Sequence, residues 1–380
     1  MSTLPWSMTR LDAVADIVTG STPATSDRSN YGQEYMFVSP ADIGKGKFVR
    51  STIKNLSEVG YSRTRHVPKG SVLFVCIGST IGKVGIAGDD LATNQQINAL
   101  IPSHAVDSDF LFYAASTLSG IVRNQAGEQA VPLVSKAQFS RFEIPTPPLG
   151  EQKRIASTIS DADRLIESLE RLISKKQAIK QGMMQELLTG RRRLQGFSKS
   201  WQATTFGDLV RIQRGSVLTR AQAGSGRIPV VAGGKAPAGY TDKANRVGRT
   251  ITISASGASA GYVALYNEPI FASDCSTIGS SRHYDLDFIY YSLLLRQDDI
   301  YRAQTGGAQP HIHACDVYPM EIRVPTDMQE QIAIAQVLVD ADKEIMALER
   351  RLESARGIKQ GMMQELLTGR TRLPFEGESA

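Results

Sequence analysis

The stretch "IKQGMMQELLTGR" occurs at Ile179–Arg191 and again, unchanged over thirteen residues, at Ile358–Arg370. Working outward from it, Glu151–Leu194 aligns without a gap on Glu330–Leu373, and 26 of 44 positions are identical. Both copies carry "EQ..IA....DAD", and each has a proline-bearing lead-in, "IPTPPLGEQ" before the first and "VPTDMQEQ" before the second. A repeat of this size organises the chain before any local propensity is weighed.

The segments ahead of the repeats correspond more faintly. Trp6 lies fourteen residues before Gly20, and Trp201 fourteen before Gly215. "CIGSTIGKVGIA" (Cys76–Ala87) parallels "ASGASAGYVALY" (Ala255–Tyr266), each with glycines four apart, and "DFLFY" from Asp109 echoes "DFIYY" from Asp287. The chain is two half-units, each a divergent globular part followed by a near-identical helix. Divergent parts on duplicated supports suggest one mechanical job with two specificities.

The helices declare themselves by period. Ile155, Ile159, Ala162, Ile166, Leu169 and Ile173 recur at alternating intervals of four and three, a heptad seam. Ile334, Leu338, Ala341, Ile345, Leu348, Leu352 and Ala355 repeat it. Pro147, Pro148 and Pro325 precede the helices, and Gly190 and Gly369 mark their stops. Each helix then runs about 40 residues, or roughly 60 Å. No single small domain covers such a helix, whereas two with matching seams cover each other. Mid-helix Gly182 and Gly361 read either as close approaches of another backbone or as neutral duplicates. Beyond them the apolar stripe shifts, so Met183, Met184, Leu187, Met362, Met363 and Leu366 are expected to form a partner-docking surface.

Composition bounds the rest. The 380 residues are 41% hydrophobic and 21% charged, ordinary for a soluble protein of two or three domains. No run approaches the roughly 20 apolar residues of a membrane helix, and the opening "MSTLPWSMTRLDAV" has no signal-peptide pattern. Three scattered cysteines, Cys76, Cys275 and Cys315, argue against a disulfide framework and fit a cytoplasmic protein. Net charge is +5, but residues 149–200 carry +5 while residues 327–380 carry −3. The two repeats are thus of opposite sign, and a basic total permits a nucleic-acid partner.

The globular parts mix β-like runs such as "SVLFVCIG" and "GRTITISASG" with helical stretches, so the class is α+β. Their loops, "GSTPATSDRSNYG", "TNQQINA", "SSRHYD" and "TGGAQPHIH", are rich in groups that bond to bases and phosphates. Composition alone also fits plain solvated loops. Catalytic motifs are missing. "GSTIGKV" (Gly78–Val84) has too few residues between its glycines for a phosphate loop, and Val84 follows the lysine. There is no GxGxxG, no Asn-Pro-Pro-aromatic motif of an adenine methyltransferase and no nuclease carboxylate–lysine cluster. In "HIHAC", strand alternation would put His311, His313 and Cys315 on one face, as a metal site needs. The first half has "LVSKA" (Leu133–Ala137) in the parallel place. A metal required by a shared architecture would appear twice, so the histidines read as DNA-facing or packing residues.

Two variable regions, each followed by a helix ending "KQGMMQELLTGR.RL", resemble the specificity subunit of a type I restriction–modification system. "LDAVADIVTGSTPATS" with "MFVSPADI", "FGDLVRIQRGSVLT", "PPLGEQKRIA" and "MQEQIAIA" are similar to that family's signatures, and the likeness spans nearly the whole chain. The second half departs in reading "GSVL" where the first has "GSTP". The resemblance implies target recognition domains at 1–148 and 196–327, spacer helices at 149–195 and 328–373, and a tail at 374–380. The helices would pack antiparallel with an internal pseudo-twofold and act as a ruler between the halves of a split DNA target. They would dock two methyltransferase subunits, which carry S-adenosylmethionine, and two restriction subunits where present. The subunit itself would hold no catalytic residue, cofactor or metal.

Under that resemblance, candidate phosphate contacts are Lys45, Lys47, Arg63, Arg65 and Lys83 in the first half, and Arg214, Arg220, Lys235 and Arg282 in the second. Gln95, Gln96 and Gln309 are candidate base readers. Ser21, Thr22, Arg28, Ser79, Thr80, Asn94, Ser216, Ser256, Ser259, His283, His311 and His313 complete the set. Rival readings stay open: a stand-alone DNA-modifying enzyme, a coiled-coil scaffold indifferent to DNA sequence, or a methylation-only member of the same family.

Overall fold

The structure, a computed structural model, describes residues 6–44, 46–127, 131–218 and 226–373. Two helices of 39 residues dominate, Leu149–Leu187 and Met328–Leu366. They begin just past the prolines, whose missing N–H costs nothing at a helix start. They end before Gly190 and Gly369, which adopt φ of +70° and +71°. The chain forms two compact units that cut across sequence order: residues up to 168 with those from 352 on, and residues 169–351. Each unit therefore takes the first part of one long helix and the last part of the other, or the reverse.

In the first unit, Ser7–Arg10 pairs antiparallel with Glu143–Thr146, bringing the chain start to the lead-in of the first long helix. A five-stranded sheet runs in the order 15–19, 97–102, 72–75, 84–87, 48–49, and a second in the order 31–32, 54–56, 35–38, 91–93, 66–67. Helix Ser108–Thr117 is capped by Asp107, whose side chain accepts from the Phe110 N–H. In the second unit, Trp201–Thr205 pairs with Glu321–Pro325. A four-stranded sheet (213–214, 275–279, 250–254, 263–266) and a three-stranded one (239–241, 228–231, 271–272) follow. Helix Leu286–Leu295 is capped by Asp285 in the same way. The α+β class holds in both units.

The faint parallels between the halves become one geometry. Gly78 and Gly82 have φ of +98° and +91°, and Gly257 and Gly261 both have +81°. A Cβ on Gly82 would meet Ser119 O at 2.9 Å, and one on Gly261 would meet Ile300 Cγ2 at 2.8 Å. Both loops thus need glycine for conformation and for room.

The seam is buried as its period demands. Ile155, Ile159, Leu169 and Ile173 are buried on the first helix, and Ile334, Leu338, Ile345, Leu352 and Ala355 on the second. Ala162, Ile166, Ala341 and Leu348 are half-buried. In the first unit Asp163 pairs with Lys359 (2.6 Å) and Glu151 faces Arg372 (3.9 Å). In the second, Lys176 pairs with Glu344 (2.6 Å), Lys180 with Asp342 (2.5 Å) and Arg193 with Glu330 (2.6 Å). In each unit the partner number falls as the other rises, so the pairing is antiparallel. Asp163–Lys359 and Asp342–Lys180 are one pair shifted by 179 residues with the partners exchanged.

The "EQ" signature is a structural clasp. Gln152 donates to Pro147 O (2.8 Å) and Ala105 O (3.2 Å) and accepts from Asp107 N (2.9 Å). Gln331 donates to Pro325 O (3.1 Å) and accepts from Asp285 N (3.0 Å). Each glutamine satisfies buried backbone where a long helix meets the capped helix of its globular domain. Glu330 is fully buried and accepts from Arg193 Nε (2.9 Å), Arg193 Nη2 (2.6 Å) and Trp201 Nε1 (3.2 Å). Its counterpart Glu151 has the looser Arg372 contact, and among the described residues the buried Trp6 Nε1 has no partner.

The expected docking surface is corrected by the cores. Met184, Leu187 and Leu188 pack with Phe206, Phe288 and Tyr291, and Leu366 and Leu367 pack with Phe74, Phe110 and Tyr113. Met183, Met362 and Met363 are half-buried against the same clusters. The stripe shifts past Gly182 and Gly361 because the helix ends leave the seam and enter the domain cores. Apart from the surrounding turns of its own helix, no described atom lies within 4 Å of a Cβ placed on Gly182 or Gly361, so no other backbone approaches there and the glycines are neutral duplicates.

The stop glycines are not neutral. A Cβ on Gly190 would lie 3.1 Å from the Trp201 ring, and one on Gly369 would lie 3.2 Å from Trp6. Gly190→Ala should cost about 1–2 kcal/mol from left-handed strain alone. Urea unfolding checks this; an unchanged midpoint would show that the cap relaxes freely.

Candidate nucleic-acid interface

The first domain gathers its polar loops along one ledge. Ser21 N donates to Thr93 O (2.9 Å), and the Thr22 hydroxyl donates to Gln95 Oε1 (2.5 Å). Arg65 donates its backbone N–H to Ser21 Oγ (3.1 Å) and its Nη1 to Thr19 O (2.8 Å). Asn94 donates to Gln96 Oε1 (2.8 Å), and Gln96 donates to Ile77 O (3.3 Å), beside Gly78, Ser79 and Thr80. Ser21, Thr22, Arg65, Asn94, Gln95 and Gln96 thus come together although they are distant in sequence. Lys83 braces the neighbouring turn at Pro40 O (3.4 Å). Arg28 is exposed.

Two basic candidates behave differently. Arg63 donates to Asp27 Oδ2 and Asn30 Oδ1, both at 2.8 Å, across the loop that holds Arg28. The Ser29 hydroxyl and then the Arg63 guanidinium hold the Asp27 carboxyl below its usual range. An arginine keeps further N–H donors for a phosphate after such a brace. Lys47 does not: its side chain is 8% exposed and pairs with Asp109 at 3.0 Å. It is therefore corrected from a phosphate contact to an internal group, because its charge is already matched inside the domain. Lys45 lies outside the described residues, as does Arg220.

The second domain forms a cleft of about 570 Å³ lined by Arg214, Ser256, Asp274, Ser276, His311, His313 and Cys315. Arg246 holds its edge, donating to Thr277 Oγ1 (2.9 Å) and Arg214 O (3.1 Å). Ser256 bridges to His311 in backbone pairing, as Ile77 does to Leu133. "HIHAC" and "LVSKA" therefore occupy the same place in their units. The Ser256 hydroxyl donates to Asp274 Oδ2. The His311 and His313 rings lie parallel within 6°, with centroids 6.3 Å apart. Strand alternation does not place Cys315 with them, because helix Ala314–Val317 starts after His313 and carries Cys315. Among the described residues no three His, Cys, Asp or Glu gather as a metal site would require.

The other second-half candidates are dispersed. Lys235 lies over the Tyr262 ring (5.4 Å), and Arg282 donates to His283 Nε2 (3.3 Å) on an exposed turn. Ser216 N donates to Ala272 O (2.9 Å), Ser259 O accepts from Tyr262 N (3.0 Å), and Gln309 is exposed beside Gly306. Sequence reasoning missed Asp274 and Ser276 in the cleft and Arg246 behind it. No spacing signal joins these residues; sheet pairing between distant strands does. Burial pushes the Cys76 and Cys275 thiols up to about 12, whereas Cys315 is exposed. Iodoacetamide at neutral pH should therefore modify Cys315 alone; equal labelling of all three would contradict the packing.

A family model described as "Type I restriction modification DNA specificity domain" matches residues 4–180 and 198–355. The chain is 24% identical to the MjaVIII specificity subunit of Methanocaldococcus jannaschii, over 97% of this chain and 93% of that one. Its fold is similar to a solved type I restriction–modification S subunit from M. genitalium, with a TM-score of 0.69, 18% identity and 97% of each chain covered. It is also similar to a structure described as showing complex assembly and conformational transition of the type I R-M system, with a TM-score of 0.60, 17% identity and coverage of 97% and 99%. With the matched residues spanning both duplicated halves, the chain belongs to the type I restriction–modification DNA specificity family.

Proposed function

We propose that this chain is the non-catalytic reader of a type I complex, each recognition domain taking one half of a split DNA target. The observation that carries the reading is the pair of divergent domains closed onto near-identical helix ends, each presenting polar loops from distant strands. Two adenine methyltransferases, bearing S-adenosylmethionine, dock on the helices; restriction subunits, where the system has them, join the same assembly. Because Met184, Leu187 and Leu366 are spent in cores, docking falls to outward positions. Leu165, Leu172 and Ile179 are exposed at intervals of seven on the first long helix and form an apolar stripe fit for a partner helix.

In this reading the paired helices set the spacing of the half-sites. Inserting residues into one helix breaks ion-pair register, so the test inserts one heptad into both, keeping the seam. That adds about 10 Å, or about three base-pair steps. Long-read methylation sequencing should show a longer spacer between unchanged half-sites. An unchanged spacer would reject the ruler. Specific DNA should also protect Cys315 from alkylation, and equal labelling with and without DNA would remove the second-domain cleft from the interface.

A further inference from the structure

We propose that Lys47 is a positioning residue: it fixes the Gly78–Gly82 loop of the first recognition domain relative to the first long helix, and so sets discrimination at the first half-site. The proposal rests on the DNA-reading function proposed above. An ammonium has three N–H donors, and Lys47 meets three acceptors: Asp109 Oδ1 at 3.0 Å, Ser160 Oγ at 3.2 Å and Tyr113 Oη at 3.3 Å. Ser160 belongs to the long helix, and the other two to helix Ser108–Thr117. Tyr113 donates its own hydroxyl hydrogen bond to Asp163 Oδ2 (2.6 Å), and Asp163 also pairs with Lys359 (2.6 Å). Two ammoniums and two carboxylates balance. The Phe48, Phe112 and Tyr113 rings lie 5.6, 5.6 and 4.6 Å from Lys47 Nζ.

The backbone of Lys47 reaches the reading loop. Its carbonyl accepts from Ile86 N (2.8 Å), in the strand Val84–Ala87 that leads out of the Gly78–Gly82 turn. Ile43, buried on the same segment, packs where a Cβ on Gly85 would lie 3.4 Å away. On its far side, the turn is tied by the Ser119 hydroxyl, which donates to Gly82 O (2.6 Å). Moving Lys47 off the helix therefore releases the anchor on the helix side of the loop that carries Ser79 and Thr80 and leads into Lys83, while Arg123, donating to Ile81 O (3.4 Å), and Pro132 O, accepting from Gly78 N (2.9 Å), hold it elsewhere. The second unit is built otherwise. Val339 stands where Ser160 does and offers no acceptor, and Asp287, counterpart of Asp109, is held within its own domain by Arg249 at 2.6 and 2.8 Å. The consequence is confined to the first half-site.

The test uses the complex with its methyltransferase and compares Lys47→Met, Lys47→Arg and Ser160→Val. Lys47→Met should lower discrimination at the first half-site about tenfold, the worth of a charged hydrogen bond, and leave the second unchanged. The salt dependence of DNA binding should not change, and Lys47→Arg should restore part of the loss. A salt slope reduced by about one would make Lys47 a phosphate contact and overturn the proposal, as would equal loss at both half-sites or no loss. Should Lys47→Met fail to assemble, Ser160→Val, which keeps the Asp109 pair, should cost about threefold at the first half-site only; no change there overturns the proposal. If the unaltered complex shows no split methylation motif, the functional reading fails first. If it shows one and Lys47→Met is silent, the positioning role alone fails.

Discussion

Leu366→Ala should destabilise the first recognition domain by about 2–5 kcal/mol and leave the second nearly untouched. The residue lies near the end of the chain, yet it is 4% exposed in a core with Phe74, Phe110, Tyr113, Ile155 and Ile159. Removing its branched carbons forfeits their burial and leaves a cavity that a helix pinned at Asp163–Lys359 cannot close. A domain of marginal stability loses a large share of its reserve this way. Leu187→Ala should do the same to the second domain, through the core of Phe206, Phe288 and Tyr291. Hydrogen exchange resolved by segment reads both results at once. If either change loosened the domain that precedes it in sequence, or neither domain, the closed-unit packing would be wrong. If both changes left folding intact and weakened methyltransferase binding, the docking surface expected from the sequence would be reinstated.

The contrast between those outcomes shows what the sequence makes legible. Seam, prolines and stop glycines were readable because each follows from a local rule: a period, a missing N–H, a positive φ. The helix ends were misread for a non-local reason. Past Gly182 and Gly361 the apolar face turns from the partner helix to a domain core, and nothing in "MMQELL" says what it turns toward. The same holds for Lys47. Flanked by Gly46 and an exposed Phe48, it resembles a loop cation, but its acceptors Asp109, Tyr113 and Ser160 lie 62 to 113 positions further on. Asp274 and Ser276 join the second cleft for equally distant reasons. Residues whose role depends on local geometry could be foreseen; those defined by sheet pairing or domain closure could not.

The duplication of "IKQGMMQELLTGR" is explained by that closure. Each copy completes the core of one domain and supplies the lysine that pairs with the aspartate of the opposite helix, Lys180 with Asp342 and Lys359 with Asp163. Two domains that must be closed identically require two copies of the closing segment, whatever the domains themselves read. Their loops are then free to diverge, as "GSTP" and "GSVL" already do.

Exchanging residues 1–148 for the recognition domain of a relative should accordingly rewrite one half of the methylated motif completely and leave the other half and the spacer unchanged. The incoming domain must present apolar side chains at the places of Phe110 and Tyr113, which meet Ile155, Ile159 and Leu366, and an indole or similar ring at Trp6 against Gly369. Without them the exchange tests stability rather than specificity, so segment-resolved hydrogen exchange accompanies it. Long-read methylation sequencing of cells carrying the exchanged subunit with its methyltransferase is the most direct measurement of independent half-site reading. The account predicts one new half-site, one old half-site and the old spacer; a motif changed on both sides, or changed on neither, would contradict it.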